Sequence, residues 1–223
     1  MSKVVHVRTL NRMSSDVEGA TGSRQARKLR TRQALLDGSL RLLADRTLAS
    51  LSLREVAREV GIVPTAFYRH FASMEDLGVA LAEECMRTLR RGLRQARGRR
   101  STSDLIKSSV TTLLEQVRAH DAQFRYVSRE RYGGVPDVRR AIATELKLIS
   151  SELATDFARM PALTAFSADD LRMAADLMVA AMMSIVLALL EVDPHQADDE
   201  REVVESAEKQ LRLIALGMAV WRS

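Results

Sequence analysis

The sequence predicts an all-α protein of about nine helices. Its 223 residues include only four prolines, which leaves long stretches free to form helices. Apolar residues recur three or four positions apart over most of the chain, which is the spacing of one helix face. The alternation of β-branched residues that marks a strand is nearly absent after Val7.

Composition and charge restrict the class of protein. Apolar residues make up 46% and charged residues 28% of the chain, as in ordinary globular proteins. The longest apolar stretch, residues 173–192, is interrupted by Asp176 and Ser184, so membrane insertion is not expected. The N-terminus lacks the apolar run of a secretory signal. The single cysteine, Cys85, excludes an internal disulfide and fits a cytoplasmic protein.

Positive charge is concentrated in the first part of the chain. Residues 1–100 contain 20 Lys and Arg against 10 Asp and Glu, a net charge of +10. Residues 101–223 contain 14 against 19, a net charge of −5, and the two values add to the overall +5. This asymmetry indicates a polyanionic partner for the first part alone.

The first helix is predicted to follow a flexible tail. Residues 1–23 mix Ser, Gly, Thr and charged residues without a period, which indicates a tail. Helix 1 is predicted over residues 24–44, and basic residues including Lys28, Arg30 and Arg32 crowd its first half. Positive charge opposes the helix dipole at an N-terminus, so a bound phosphate is expected there.

A helix-turn-helix motif is predicted over residues 52–71. Ser52 and Glu55 have the spacing of a capping box, which begins helix 2. Gly61 ends that helix, since glycine adopts the left-handed conformation at low cost. Pro64 suits the first position of helix 3, which is expected to run to about residue 71.

The second helix of such a motif enters the major groove of DNA. Val63, Phe67 and Phe71 are expected to pack beneath it, which turns the remaining side chains outward. The small residues at its start allow close approach to base edges, and the polar tips that follow suit phosphates or guanine. The predicted DNA-binding residues are Lys28, Arg30, Arg32, Ser52, Arg54, Thr65, Ala66, Tyr68, Arg69 and His70.

Six further helices are predicted after the motif. A second capping box, with Ser73 as N-cap and Asp76 in place of glutamate, begins helix 4, which extends to about residue 97. The remaining helices are predicted at about residues 104–120, 122–132, 136–160, 168–192 and 200–221. The predicted organisation is a tail (1–23), a three-helix DNA-binding domain (24–72) and a larger ligand-binding and dimerisation domain (73–223).

The last two predicted helices carry wide apolar faces. They could fill an ordinary core, but we expect them to form a homodimer interface, because helix-turn-helix proteins bind two half-sites. The candidate dimerisation residues are Leu171, Met178, Leu211, Ile214, Met218 and Trp221. The helix at 168–192 is also rich in methionine, which suits either core filling or an adaptable apolar cavity.

Two polar segments allow alternative interpretations. Five arginines of helix 4 recur at helical spacing, at positions 87, 90, 91, 94 and 97. They form either a solvated face or a seat for coenzyme A phosphates. The segment RERY, at residues 129–132, indicates internal ion pairing or a polar lid over a pocket.

Motifs for catalysis are missing from the sequence. HExxH, GxSxG, the P-loop and the dinucleotide-binding motif do not occur, and the four histidines lie in unrelated contexts. We therefore predict no catalytic residues, no metal site and no enzyme activity.

The motif region resembles the TetR family of bacterial transcriptional regulators. The similarity lies in LSLREVAREVGIVPTAFYRHFASMEDL and in the basic segment RQARKLRTRQALLDGSLRLLA before it. The resemblance implies a dimer that binds operator DNA through helices 1–3. Helix 4 would link the domains, and the later helices would enclose a small-molecule effector.

A narrower resemblance involves FRYVSRER, at residues 124–131, and LRLIALGM near the end. It is to the FabR and DesT branch, which represses unsaturated fatty acid synthesis, although the tail and YGGVPD differ from FabR. The branch implies a long-chain acyl-CoA or fatty acyl effector and no cofactor. The candidate ligand-binding residues are Arg129, Arg131, Tyr132, Met178, Met182 and Ile185.

These observations favour a repressor of lipid or fatty acid genes that binds a palindromic operator. One alternative is a TetR-type regulator of drug efflux or catabolism that senses another hydrophobic molecule. A second is an acyl-CoA-binding protein with incidental DNA contact, and a third is an unrecognised all-α enzyme.

Overall fold

The computed structural model describes residues 5–97, 105–193 and 196–221, and it confirms the all-α fold class. The described residues form helices joined by turns, without strands. Two 3-10 turns, Leu48–Ser50 and Pro161–Leu163, were not predicted. The helices are α1 (Val5–Leu42), α2 (Leu53–Val60), α3 (Pro64–Phe67), α4 (Met74–Arg97), α5 (Leu105–Ala119), α6 (Asp121–Glu130), α7 (Pro136–Ala158), α8 (Ala168–Glu191) and α9 (Ala197–Val220).

Helix α1 begins at Val5 instead of near residue 24, so the structure differs from the predicted flexible tail. The polar composition that led to that prediction does not by itself end a helix. Residues 5–42 contain no proline, and an internal glycine lowers helix stability by only about 1 kcal/mol. The segment therefore contains no residue that would force the helix to stop.

The predicted beginning and end of α2 are confirmed. Ser52 Oγ accepts a hydrogen bond from the Glu55 amide at 3.3 Å, and the Glu55 carboxylate accepts one from the Ser52 amide at 2.9 Å. Hydrogen bonds from Ser52, assisted by Arg46, lower the pKa of Glu55 to about 2. Gly61 follows the helix with φ of 71°, which is the left-handed conformation expected there.

Helix α3 ends at Phe67, four residues earlier than predicted. The chain then continues as tighter turns, in which the His70 amide donates to the Phe67 carbonyl at 2.8 Å. This spacing of three residues is that of a 3-10 turn. The tightening carries Phe71 into the core beside Phe67, with 5.7 Å between the ring centroids.

A single hydrophobic cluster joins α1, α2 and α3 to the rest of the described structure. It runs from Leu35 of α1 through Leu77 of α4 and Tyr126 of α6 to Ile185 of α8. Helix α7 packs against α4 and α8, and α9 packs against α5 and α8. Cys85 of α4 is buried in this cluster, and burial raises the pKa of its thiol to about 12, so it is not a reactive cysteine.

Candidate nucleic-acid interface

Exposed side chains surround the first turn of α3. Thr65, Tyr68 and Arg69 are exposed, and Ala66 and His70 are half-buried. The prediction that these residues face outward agrees with this arrangement. The exposed face offers a hydroxyl, a phenol and a guanidinium within one short helix and its following turn.

Val63 was expected to pack beneath α3, and this prediction is wrong, since its side chain is 64% exposed. Pro64 restricts the residue before it to extended backbone, and Val63 has φ of −72° and ψ of 144°. That conformation places Val63 before the first helical turn, where it does not share the buried face of the helix. An apolar side chain therefore stands beside Thr65 on the surface.

Two buried aromatic rings fix this surface in place. Phe67 is 0% exposed and Phe71 is 2% exposed, as predicted. The ring of Tyr68 meets the ring of Phe67 edge to face, with 5.8 Å between centroids. The Arg32 guanidinium lies 4.3 Å from the centroid of Phe71. The exposed polar groups thus rest on a rigid apolar base.

A cationic cluster lies where α1 meets the end of the motif. Burial and the positive charges of Lys28, Arg32 and Arg69 together lower the pKa of His70. Arg32 Nη1 and His70 Nδ1 are both buried, and neither has a hydrogen-bond partner in the described part of the chain. Unpaired buried polar atoms are costly. The positive charges of Lys28, Arg32 and Arg69 that surround His70 would attract an anion such as a phosphate.

A phosphate was predicted at α1 because its basic residues were expected to lie at the N-terminus of the helix, and this reason is wrong. The positive charge itself is present. Lys28 and Arg30 are exposed, but both lie in the middle of α1 because the helix begins at Val5. Their backbone amides are therefore not free ends of a helix. Any attraction to an anion comes from the side chains alone.

Ser52 and Arg54, at the start of α2, differ in what they can offer a ligand. Ser52 Oγ lies 2.6 Å from Glu55 Oε2, so its hydroxyl serves the capping box. The Arg54 side chain is exposed. Of these two predicted DNA-binding residues, Arg54 has the freer side chain.

The Arg129 side chain connects α6 to the turn that follows α1. Its guanidinium donates to the carbonyls of Leu43 at 2.7 Å, Ala44 at 2.9 Å and Arg46 at 3.0 Å. Arg129 is a predicted ligand-binding residue, and in this structure its guanidinium holds the junction between α6 and the turn after α1. The partners lie more than 80 residues earlier in the chain, so no local sequence signal identifies them.

Glu130 and Tyr126 complete the junction from the same helix. Glu130 is 1% exposed, and its Oε1 accepts from the Leu48 amide at 2.7 Å. The Tyr126 hydroxyl donates to the Gly78 carbonyl of α4 at 2.9 Å, and burial raises its pKa well above the usual value. Gly133 leaves room for the carboxylate, since an added Cβ would lie 2.3 Å from Glu130 Oε2.

The apolar residues predicted for an effector occupy the core of α8. Ile185 is buried, and Met178 and Met182 are half-buried against the main cluster. A small cavity of about 90 Å³ between α8 and α9 is lined by Ile185 but not by either methionine. Ligand pockets usually measure about 300–1,000 Å³. In this structure the two methionines pack against the core from its edge.

Some of the helix 4 arginines at positions 87–97 form ion pairs with carboxylates of α7. Arg90 lies 3.2 Å from Glu145, and Arg94 makes an ion pair with Glu152. These carboxylates offset the positive charge that a coenzyme A phosphate would need. The side chain of Arg97 lies outside the described residues.

The predicted dimerisation residues divide into buried and accessible groups. Leu171 and Leu211 are 7% and 3% exposed, so they pack within the chain and are not available to a partner. Met178, Ile214 and Met218 are half-buried, and Trp221 is exposed. A different apolar set is exposed on the same two helices, namely Met173, Leu177, Leu187, Leu213, Leu216 and Val220. We call this set the outer apolar face.

Comparison with known families gives two matches along the chain. Residues 35–81 match the family described as "Bacterial regulatory proteins, tetR family". Residues 102–219, more than half of the chain, match "Tetracyclin repressor-like, C-terminal domain". The first match contains the helix-turn-helix motif, and the second extends from α5 to the last turn of α9.

Three solved structures illustrate the similarity of fold. The fatty acid degradation regulator FadR from Bacillus halodurans is 17% identical, with 81% of this chain and 94% of that chain covered and a TM-score of 0.66. FadR from Bacillus subtilis, solved with stearoyl-CoA, is 14% identical, with 82% and 96% covered and a TM-score of 0.63. The multidrug binding protein EbrR, solved with imidazole, is 22% identical, with 80% and 93% covered and a TM-score of 0.58.

Proposed function

Because this chain belongs to the TetR family of bacterial transcriptional regulators, we propose that it is a repressor that binds a palindromic operator as a homodimer. Members of this family bind operator DNA, typically as dimers, and respond to small-molecule effectors. The observation that carries the proposal is the exposed α3 surface, held on Phe67 and Phe71 beside the cationic cluster. A repressor of this kind works in the cytoplasm and needs no cofactor.

Thr65 and Ala66 are the residues placed best to read bases. Both are small and precede Tyr68, so a major-groove edge can approach the start of α3 closely. Exposed Val63 adds an apolar contact suited to a thymine methyl group. The duplex is positioned through its phosphates by the basic residues among the predicted DNA-binding residues, including Arg69, His70 and Lys28.

The outer apolar face is the surface for the second copy. It comprises large apolar side chains of α8 and α9 that the chain itself leaves exposed. Helix α8 is also the one described helix long and apolar enough to cross a membrane, a test that core helices pass as well. Pairing of α8 and α9 with their copies across a two-fold axis would bury this face and place two α3 helices on one duplex.

Placing charge on this face is expected to produce monomers. Leu213→Glu combined with Leu216→Glu puts carboxylates where apolar side chains would meet, so the dimer should dissociate in sedimentation or light-scattering measurements. Operator affinity should fall by about 100-fold or more, because only one half-site remains bound. Glu205→Gln, an exposed polar change on α9 about three turns before Leu216, is the control. A dimeric double variant would contradict the assignment.

The effector that the comparisons favour is a long-chain fatty acyl group or acyl-CoA. The support is the likeness to two FadR structures, one of them solved with stearoyl-CoA, together with the resemblance of residues 124–131 to the FabR and DesT branch. The target genes would then concern lipid or fatty acid metabolism. The likeness to EbrR favours a different hydrophobic molecule and a role in drug efflux as the second candidate.

A gel-shift experiment tests both parts of the proposal. Genomic fragments upstream of the gene are titrated with the protein, alone and with palmitoyl-CoA, oleoyl-CoA or a cationic dye of the multidrug type. Specific binding supports the repressor, and a change in affinity with an acyl-CoA, in either direction, supports the lipid effector. A response to the dye alone favours the second candidate, and a lack of any specific fragment contradicts the repressor.

Protonation of His70 should couple DNA affinity to pH. Burial and the neighbouring positive charges lower the pKa of His70, and a phosphate beside it would raise that pKa. Binding then takes up a proton, so operator affinity should increase as the pH falls from 8 to 6. His70→Gln should reduce this slope, as measured by fluorescence anisotropy of labelled operator at constant ionic strength. An identical slope in the variant would place His70 away from the phosphates.

A further inference from the structure

We propose that a basic groove at the start of α7 binds a phosphate ester that carries an apolar or aromatic group. The groove has a volume of about 480 Å³, within the range of small-molecule sites. It is lined by Arg131, Tyr132, Pro136, Arg139, Arg140, Ala143 and Leu146. This site is separate from the apolar residues of α8, and the inference does not depend on the identity of the proposed effector.

The groove arises because the turn after α6 folds against one face of α7. Pro136, Arg139 and Ala143 follow one another at helical spacing, so they form a continuous strip along α7. Arg139 holds the turn in place, since its Nη1 donates to the Gly133 carbonyl at 2.6 Å. Arg131 and the turn form the opposite wall.

The charge of the groove is strongly positive. The described residues that line it include three arginines and no acidic side chain. Asp137 makes an ion pair with Arg140 and offsets one of these charges. Arg139 donates to a carbonyl, which leaves its charge unbalanced, and no carboxylate in the described part of the chain pairs with Arg131. Two positive charges therefore face the groove without compensation.

The apolar part of the groove defines the rest of the ligand. The ring of Tyr132 is 75% exposed and lies under the Arg131 guanidinium, 5.4 Å from its centroid. An aromatic group can stack on such a ring, and Arg can bind phosphate through two parallel N–H groups. Ala143 and Leu146 provide an apolar floor. A bare anion would leave this floor and the ring uncovered, so we favour a phosphate attached to a flat or apolar group.

Such a ligand has two sources with the same chemistry. One is the nucleotide headgroup of an acyl thioester, and the other is a free nucleotide. The groove follows Arg129 and Glu130 directly in sequence, so an occupied groove would lie beside the contacts that hold α1 and the first 3-10 turn. Binding there can thus affect the orientation of the DNA-binding helices.

Calorimetry on the full chain tests the site with coenzyme A, ADP, inorganic phosphate and palmitate as probes. We expect coenzyme A and ADP to bind once per chain, and phosphate and palmitate to bind at least about tenfold more weakly. If palmitoyl-CoA displaces ADP and binds more tightly than coenzyme A, the natural ligand is the headgroup of an acyl thioester. If palmitoyl-CoA and coenzyme A bind with equal affinity, the natural ligand is a free nucleotide. Absence of binding by both coenzyme A and ADP at about 1 mM would overturn the proposal.

Matched variants separate the groove from general charge effects. Arg139→Gln with Arg140→Gln should weaken ADP at least about tenfold. Arg172→Gln with Arg201→Gln removes two arginines that also pair with an aspartate three residues earlier, and should leave ADP affinity unchanged. Ala143→Glu places a carboxylate in the groove while keeping the Arg139 contact, and should also weaken ADP. If ADP binds all variants with the wild-type affinity, the site is overturned. The site is also overturned if the groove variants lose as much affinity for DNA, measured without ADP, as they lose for ADP, because these arginines would then contact the duplex.

Discussion

Arg69→Ala and Tyr68→Ala are each expected to weaken operator binding by about 10- to 100-fold, because hydrogen bonds to a charged partner contribute about 1.5–3 kcal/mol. Both side chains are exposed and rest on buried Phe67, so truncating them should leave the unfolding temperature nearly unchanged. The measurement is anisotropy of labelled operator at several salt concentrations.

Two control variants distinguish the loss of a DNA contact from a disturbance of the packing of α3. Tyr68→Phe keeps the ring against Phe67 and removes only the hydroxyl, so it should show the loss due to the hydrogen bond alone. Arg69→Lys keeps the positive charge that attracts a phosphate but loses the planar guanidinium, so its operator affinity should lie between that of the wild type and that of Arg69→Ala. Arg69→Ala removes one charged contact with a phosphate, so it should reduce the slope of log affinity against log salt by about 0.9. Wild-type affinity in both alanine variants would show that α3 does not contact the operator.

Glu130→Ala is expected to lower the free energy of unfolding by about 2–4 kcal/mol. The Glu130 side chain is buried, and its loss leaves the Leu48 amide without an acceptor and opens a cavity between α6 and the first 3-10 turn. Chemical denaturation monitored by circular dichroism gives the change. Operator affinity should also fall, because the junction that orients α1 is weakened.

Glu130→Gln is the matched control for this effect. Its carbonyl oxygen can still accept from the Leu48 amide, and the change removes a buried charge whose Oε2 has no partner in the described residues. We therefore expect a change of less than about 1 kcal/mol in stability. A loss as large as that of the alanine variant would mean that the charge, not the hydrogen bond, stabilises the junction.

Local signals were sufficient for most of the fold. The capping box at Ser52, the left-handed Gly61 and the first-turn Pro64 each act through backbone geometry within a few residues, so the sequence identifies them directly. The ends of α4 to α9 followed from helical spacing and breakers in the same way. The start of α1 was missed because polar composition was taken as a stop signal, although no residue there prevents a helix.

The remaining errors concern surfaces that depend on tertiary packing. The sequence indicates the widest apolar stripe of α9, but Leu211 in that stripe faces the chain's own core, while Leu213 and Leu216 point outward. A helix that packs against its own chain and also against a second copy needs two apolar faces. Periodicity does not show which face contacts the core and which contacts the second copy. The contacts of Arg129 at the junction were missed for a similar reason, because its hydrogen-bond partners are distant in sequence.

The most direct test of the account is to recover the DNA that the protein selects. Sheared genomic DNA is incubated with the purified full chain, and the bound fragments are sequenced, with Arg69→Ala run in parallel. A repressor of this kind should enrich a few fragments that share a palindrome, with half-sites about one helical turn apart, and Arg69→Ala should lose them. Enrichment without a palindrome, or the same fragments bound equally by Arg69→Ala, would contradict it.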